Sequence, residues 1–145
     1  MATHQIIIRL ANQNDLEALE TINQSSSNTP YQSFALKNAI DQQTCFCACD
    51  NHGSIMGWIA IQKGFELIDI LYITTANEFK RQGVSKLLFN YLRTEFSKSE
   101  IMLEVRPSNT GAIKLYESLG MTFLNIRKKY YQNPTEDALV YKYYI

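Results

Sequence analysis

The sequence is poor in features that would send it to a membrane, an oxidising compartment or a nucleic acid. It contains no apolar run approaching the roughly 20 residues that cross a bilayer. Met1-Ala2-Thr3-His4-Gln5 leads straight into Ile6-Ile7-Ile8 without a basic flank, a long apolar core or a small-residue cleavage site, so no secretory leader is expected. Its three cysteines are odd in number and crowded into Cys45-Phe46-Cys47-Ala48-Cys49, which offers no disulfide framework. That usage suits a reducing compartment, and a cytoplasmic location is expected with no membrane association. Fourteen Lys and Arg balance fourteen Asp and Glu, and a net charge of zero argues against direct nucleic-acid binding. No repeat, linker or low-complexity tract divides the chain. At 145 residues and 46% hydrophobic, residues 1–145 read as one domain able to bury a core.

What is present follows a regular order. Gln5 to Ala11 alternates as a first strand, and Asn14 or Asp15 can cap a helix buried through Leu16, Leu19 and Ile22. The run from Ser25 to Pro30 has turn chemistry, and Phe34, Leu36 and Ile40 mark a second helix between Gln32 and Asp41. Gln43 to Cys49 and Ser54 to Ile61 form a hairpin around Asp50-Asn51-His52-Gly53, and Glu66 to Ile73 completes a meander. The cysteines, at period 2, share one face of their strand. Without ligands from elsewhere they read as small buried hydrophobes, no metal is expected, and His52 is a turn residue.

After the meander, Val84, Leu87, Leu88, Tyr91, Leu92 and Phe96 make one helical stripe. Glu100 to Arg106 is a strand parallel to the one before that helix. Ser108 or Asn109 caps a helix buried through Ala112, Ile113, Tyr116 and Leu119 and ended by Gly120. Met121 to Tyr131 and Ala138 to Ile145 are the last strands. The order β-α-α-β-β-β-α-β-α-β-β predicts an α/β (α+β) fold, a mixed sheet of about seven strands with helices on both faces.

The chain is organised around Lys80-Arg81-Gln82-Gly83-Val84-Ser85, which reads as the basic loop between a strand and a helix. Gly83 makes the first free amides of the helix approachable, and those amides, the helix dipole and the two cations attract phosphate oxygens. The stretch reads as a cradle for a diphosphate. An ordinary helix start with a glycine and solvated cations has the same pattern. A dinucleotide fingerprint would need further glycines at fixed spacing and a Walker loop would need Gly-Lys-Ser or Gly-Lys-Thr, and neither is present.

These six residues resemble motif A of the GNAT N-acetyltransferases, Arg or Gln-x-x-Gly-x-Gly or Ala. Lys80 stands where Gln or Arg is usual, and Ser85 where a second small residue is usual. A second block is more specific. Leu103-Glu104-Val105-Arg106-Pro107-Ser108-Asn109 and Leu115-Tyr116-Glu117-Ser118-Leu119-Gly120-Met121 closely resemble segments of the RimI-type ribosomal-protein-alanine N-acetyltransferases. Arg127-Lys128-Lys129-Tyr130-Tyr131 and Glu136-Asp137-Ala138 resemble two more. The likeness covers about residues 57 to 140, and the first 50 residues match only loosely. Pro30-Tyr31 stands where that family has Pro-Trp.

The resemblance implies the GNAT fold, acetyl-CoA as cosubstrate and direct transfer, in a ternary complex, to a protein N-terminus such as that of ribosomal protein S18. It also implies that Tyr130 and Tyr131 line the peptide groove, with Tyr31 near the acceptor. Two alternatives stay open: acetylation of a small amine (polyamine, amino acid or aminoglycoside), and a CoA-binding module without turnover. Charge is divided accordingly. Residues 1–72 hold seven acids against three bases, and residues 73–145, with the cradle, hold eleven bases against seven acids, giving −4 and +4.

The residues suit such roles. An α-amine titrates near pH 8, so a modest base makes it a nucleophile toward a thioester. Glu104, inside the apolar run Ile101 to Val105, is the candidate base, acting directly or through a water, with burial expected to raise its pKa. It could instead pair with a neighbour such as Arg106. Tyr116 is the candidate proton donor to the departing thiolate, and could otherwise simply fill core space. Asn109, seven residues earlier on nearly the same helix face, could hold pantetheine. The thioester oxygen needs donors, for which the backbone at Leu71, Tyr72 and Ile73 is the candidate, on the expectation that the parallel strands part after Ile73.

Overall fold

In the computed structural model, which describes residues 5–26 and 29–145, the first helical segment opens on Asn12 rather than on Asn14 or Asp15. The Asn12 side chain accepts from the Asn14 amide at 2.9 Å, and Asp15 accepts from the Asn12 amide at 2.8 Å, a reciprocal capping box ahead of α1 (Leu16–Ser26). The helix runs through Ser25 and Ser26, whose hydroxyls donate back to the carbonyls of Thr21 and Ile22 instead of ending it. Of the turn expected from Ser25 to Pro30, Ser27 and Asn28 lie outside the described residues, as does Met1 to His4 of the leader reading.

The remaining elements are β1 (Ile7–Leu10), α2 (Ser33–Asp41), β2 (Cys45–Cys49), β3 (Ile55–Gly64), β4 (Leu67–Thr75), α3 (Val84–Glu95), β5 (Glu100–Val105), α4 (Thr110–Ser118), β6 (Thr122–Tyr131) and β7 (Glu136–Tyr143). They make one seven-stranded sheet in the order β1-β2-β3-β4-β5-β7-β6, antiparallel except for the parallel pair β4 and β5. This is the expected element order and a mixed sheet. Among the described residues no helix is long and apolar enough to cross a membrane.

Side-chain alternation sorts the core onto two faces. Cys45, Cys47 and Cys49 point to the face covered by α1 and α2, packing with Leu19, Ile22, Leu36, Ile40 and Trp58, while Phe46 and Ala48 point to the face covered by α3 and α4. Burial pushes the Cys45 thiol up to about 12 and raises Cys47 as well. The α3 stripe is rotated from the expected one. Val84, Leu88, Phe89 and Leu92 are buried, whereas Leu87 is exposed. At 100° per residue Leu87 falls well off the centre of that face and Phe89 replaces it.

The amino end of α3 is seated by a glycine that sequence reading passed over. A Cβ on Gly57 of β3 would lie 2.6 Å from the Thr74 carbonyl oxygen and 3.0 Å from Val84 Cγ1. Strand, strand and helix start can meet there only because that side chain is missing. Thr75 and Ser85 hydroxyls, 3.2 Å apart, complete the joint.

Candidate active site

The parallel ladder between β4 and β5 is short. Leu67 to Ile70 pair with Glu100 to Leu103, and beyond Ile70 the two strands no longer pair. The parting thus begins three residues before the expected point at Ile73. Its cause lies in β4 itself, where the register against β3 steps from Ile70 opposite Ile61 to Tyr72 opposite Ala60 and leaves Leu71 as an extra, exposed residue. Such a bulge bends the strand away from its neighbour. Leu71, Tyr72 and Ile73 therefore border the opening, on the same end of the sheet as α3's amino end.

The loop into α3 has the shape the cradle reading requires. Arg81 and Gly83 both have positive φ, +66° and +78°, and no side chain caps the helix. A Cβ built on Gly83 would meet nothing within 4 Å, so the space before the first helix amides is open. Lys80 and Arg81 are exposed beside it. Lys80 Nζ reaches the Ser26 carbonyl at 3.4 Å and Gln82 Nε2 the Glu78 carbonyl at 3.4 Å, while Ser85 faces Thr75. Open amides, an adjacent dipole and two cations fit a diphosphate.

Glu104 emerges on the sheet face opposite Leu103 and Val105. Its partner is Arg127, not Arg106. Arg127 NH1 donates to Glu104 Oε1 at 2.9 Å, reaching across β7 where its register partner is the small residue Ala138. Glu104 Oε2 is buried and has no hydrogen-bond partner among the described residues. Arg106 turns instead to Glu136, 3.0 Å away. Asp69, one strand over, shares the neighbourhood. Its pKa is raised by burial first and by Glu104 second, while Arg127 opposes both. Asp69 was missed in the sequence, although the signal that singled out Glu104, a carboxylate interrupting an apolar strand, is present in Leu67-Ile68-Asp69-Ile70 too.

In a regular strand the two successive tyrosines of β6 would face opposite ways. They converge. Lys129 takes φ +49°, its amide donating to Asp137 Oδ1 at 2.9 Å, and the register of β6 against β7 slips between Arg127 and Tyr131. With the alternation broken, the two rings meet edge to face with centroids 5.0 Å apart. Tyr130 lies 4.3 Å from the Arg127 guanidinium carbon, and Tyr131 lies 4.5 Å from that of Arg106. The Tyr130 phenol leans toward Glu104, the first cause of its raised pKa, yet stops short of a full hydrogen bond to Oε2. Burial, with Glu104 second, pushes Tyr131 up to about 12, and Tyr116 adds to the same effect.

Tyr116 lies on α4 against the α3-side core, partly buried, and burial pushes its phenol up to about 12 with a further contribution from Tyr72. Tyr116 and Glu104 thus lie on opposite faces of the sheet, and both raise the Tyr131 phenol. α4 ends where expected. Gly120, at φ +93°, donates to the Glu117 carbonyl and Met121 to that of Tyr116, fixing the turn that carries the phenol. Asn109 caps α4 by accepting from the Ala112 amide at 3.2 Å, which leaves its amide nitrogen available to a ligand. Tyr31 joins through Tyr72, on which it stacks at 5.2 Å, and not through Tyr130 or Tyr131. Buried Asn23 holds the Tyr31 backbone by bonds of 2.9 and 2.8 Å.

A cavity of about 460 Å³ lies at the far end of α3, beside Asn90, Arg93 and Tyr143, and contains none of these residues. Among the described residues no group of three His, Cys, Asp or Glu side chains is arranged to hold a metal ion.

Comparison with known proteins agrees with the fold. The profile described as Acetyltransferase (GNAT) family matches residues 11–121. The chain is 29% identical over 127 residues to the [ribosomal protein bS18]-alanine N-acetyltransferase of Escherichia coli K12, covering 86% of this chain and 84% of the relative. It is 30% identical over 149 residues to an N-alpha-acetyltransferase of Sulfolobus acidocaldarius, covering 90% and 88%. Its fold matches the crystal structure of Arabidopsis thaliana NAA60 in complex with acetyl-CoA with a TM-score of 0.84 at 22% identity, covering 97% of this chain and all of the other.

Proposed function

The chain belongs to the acetyltransferase (GNAT) family and is an acetyl-CoA-dependent N-acetyltransferase; from that premise we propose that the amine it acetylates is the N-terminal α-amine of a protein. The observation that carries the reading is the convergence of Tyr130 and Tyr131 on Glu104 beside the parted strands, which makes an aromatic wall along one side of the candidate base. Two rings side by side suit a peptide chain better than a compact amine. The bacterial and archaeal relatives, named for ribosomal protein bS18 alanine and for N-alpha acetylation, support the same class of acceptor, and a ribosomal protein is the first target to try.

In this reading the acetyl thioester supplies the acyl group and the thiolate that leaves. The amides opening α3, with Lys80 and Arg81, hold the diphosphate, and the Asn109 amide nitrogen steadies the pantetheine arm. Glu104 Oε2 takes the proton of the incoming ammonium, directly or through a water, while Arg127 holds Oε1. The freed amine attacks the carbonyl carbon, backbone amides from Leu71 to Ile73 face the oxygen as it gathers charge, and the carbon–sulfur bond breaks. Tyr116 gives its proton to the leaving sulfur and is reprotonated as the acetylated nitrogen sheds its second proton, and Glu104 returns the first proton to solvent.

The test is a turnover screen of peptides with free N-termini beside polyamines and aminoglycosides. Acetylation of peptides is expected, and activity confined to small amines would replace this acceptor with the alternative.

A further inference from the structure

Arg106 follows Glu104 by two residues, yet it neither pairs with that carboxylate nor reaches solvent freely. Its side chain is only 19% exposed. The guanidinium spends its donors on the turn between β6 and β7. NH2 donates to the Gln132 carbonyl at 2.7 Å, and NH1 donates to the Pro134 carbonyl at 2.9 Å and to Glu136 Oε2 at 3.0 Å. Ser108, just beyond β5, donates to the same Glu136 oxygen at 3.0 Å. The Glu136 carboxyl is held below its usual range, first by Arg106. The guanidinium carbon lies over the Tyr131 ring, 4.5 Å from its centroid. One planar group thus ties the end of β5 to the tip of a solvent-exposed hairpin that is otherwise held by its own β6–β7 ladder and by the contacts of Asp137 with Lys128 and Lys129.

We infer that Arg106 is a positioning residue: by gripping the Gln132 and Pro134 carbonyls and the Glu136 carboxylate, it fixes the β6–β7 turn so that Tyr131 faces the acceptor path, and so sets acceptor affinity rather than acetyl-CoA affinity. The inference rests on the acceptor reading above for the second half of that statement only. A planar fork suits this site because two carbonyls and a carboxylate are met at once beside an aromatic ring, which the point charge of a lysine does less well. Among the described residues no hydrogen bond or ion pair joins the cofactor loop at residues 80–85 to this network, and Asn109 meets Arg106 only through the backbone, its amide donating to the Arg106 carbonyl at 3.0 Å, which a side-chain substitution keeps, so acetyl-CoA should not sense the change.

The experiment compares wild type with Arg106→Lys and with the milder Glu136→Gln, which keeps an acceptor for Arg106. Acceptor and acetyl-CoA KM are measured with a synthetic peptide bearing a free N-terminal alanine, and amide hydrogen exchange is followed by mass spectrometry over residues 129–137. Arg106→Lys is expected to speed exchange in that segment and raise the peptide KM on the order of tenfold, with the acetyl-CoA KM unchanged. Glu136→Gln should give a smaller change of the same kind. Unchanged exchange would overturn the inference, as would a peptide KM equal to wild type or an equal rise in both KM values. A wild-type protein inert toward the peptide would count against the acceptor reading, and the exchange comparison would still decide whether Arg106 holds the turn.

Discussion

Arg127 reaches over β7 to hold one oxygen of Glu104 at 2.9 Å, and the other oxygen of that carboxylate is buried without a partner among the described residues. A buried, unpartnered acceptor is costly to keep, by about 1–3 kcal/mol, and is retained where it is used. Glu104→Gln keeps the shape and removes the proton acceptor. It is expected to lower kcat by about 10²–10⁴-fold, with acetyl-CoA affinity unchanged by equilibrium binding. Rates equal to wild type would remove Glu104 from the chemistry.

For Tyr116, burial and the Tyr72 phenol push the pKa up to about 12, so the hydroxyl keeps its proton across the neutral range. Tyr116→Phe should lower kcat about 10²-fold while leaving the alkaline limb of the rate profile where it is. A limb below pH 10 that vanishes in the Phe variant would contradict this assignment.

Two glycines make a contrast that stability and binding can separate. Gly57→Ala puts a Cβ 2.6 Å from the Thr74 carbonyl oxygen and should cost about 1–3 kcal/mol in denaturant unfolding, with activity falling alongside. Gly83→Ala meets no atom of the protein and adds only the strain of positive φ, about 1–2 kcal/mol. Its main effect should be weaker acetyl-CoA binding. A Gly83 variant that binds acetyl-CoA normally and is slow only in turnover would speak against the cradle.

Acid stability should depend on Asp15. Arg9 holds its carboxyl below the usual 3.8 through hydrogen bonds of 2.7 and 2.9 Å. A depressed folded pKa means the contribution is complete above the unfolded value and fades as pH falls through the folded one. Asp15→Asn should therefore lose about 1.5 kcal/mol at pH 7, the low end for a charge-assisted bond because Arg9 is 38% exposed and screened by solvent. The gap between variant and wild type should close below about pH 4. A gap that persists at pH 2 would assign the loss to packing instead.

How far the sequence could be read depended on the range of the interaction. Strand and helix periods are local, so the element order and the mixed sheet were legible, and residue type and motif were enough to single out Gly83, Glu104 and Tyr116 as candidates. Register is not local. The bulge at Leu71 that parts the strands early, and the slip at Lys129 that brings Tyr130 and Tyr131 together, depend on partners in β3 and on Asp137. Gly57 was invisible for the same reason, since its purpose appears only when Thr74 and Val84 are beside it. The Leu87 and Phe89 exchange shows that a stripe of apolar residues gives the face of a helix only to within about one residue's rotation.

The most direct test of the whole account is to let the enzyme choose between two amines on one molecule. A peptide with a free N-terminal alanine and an internal lysine, incubated with acetyl-CoA and read by fragmentation mass spectrometry, should carry its acetyl group on the α-amine, with Glu104→Gln abolishing the product. Acetylation of the lysine alone, or equal product from the Glu104 variant, would contradict it.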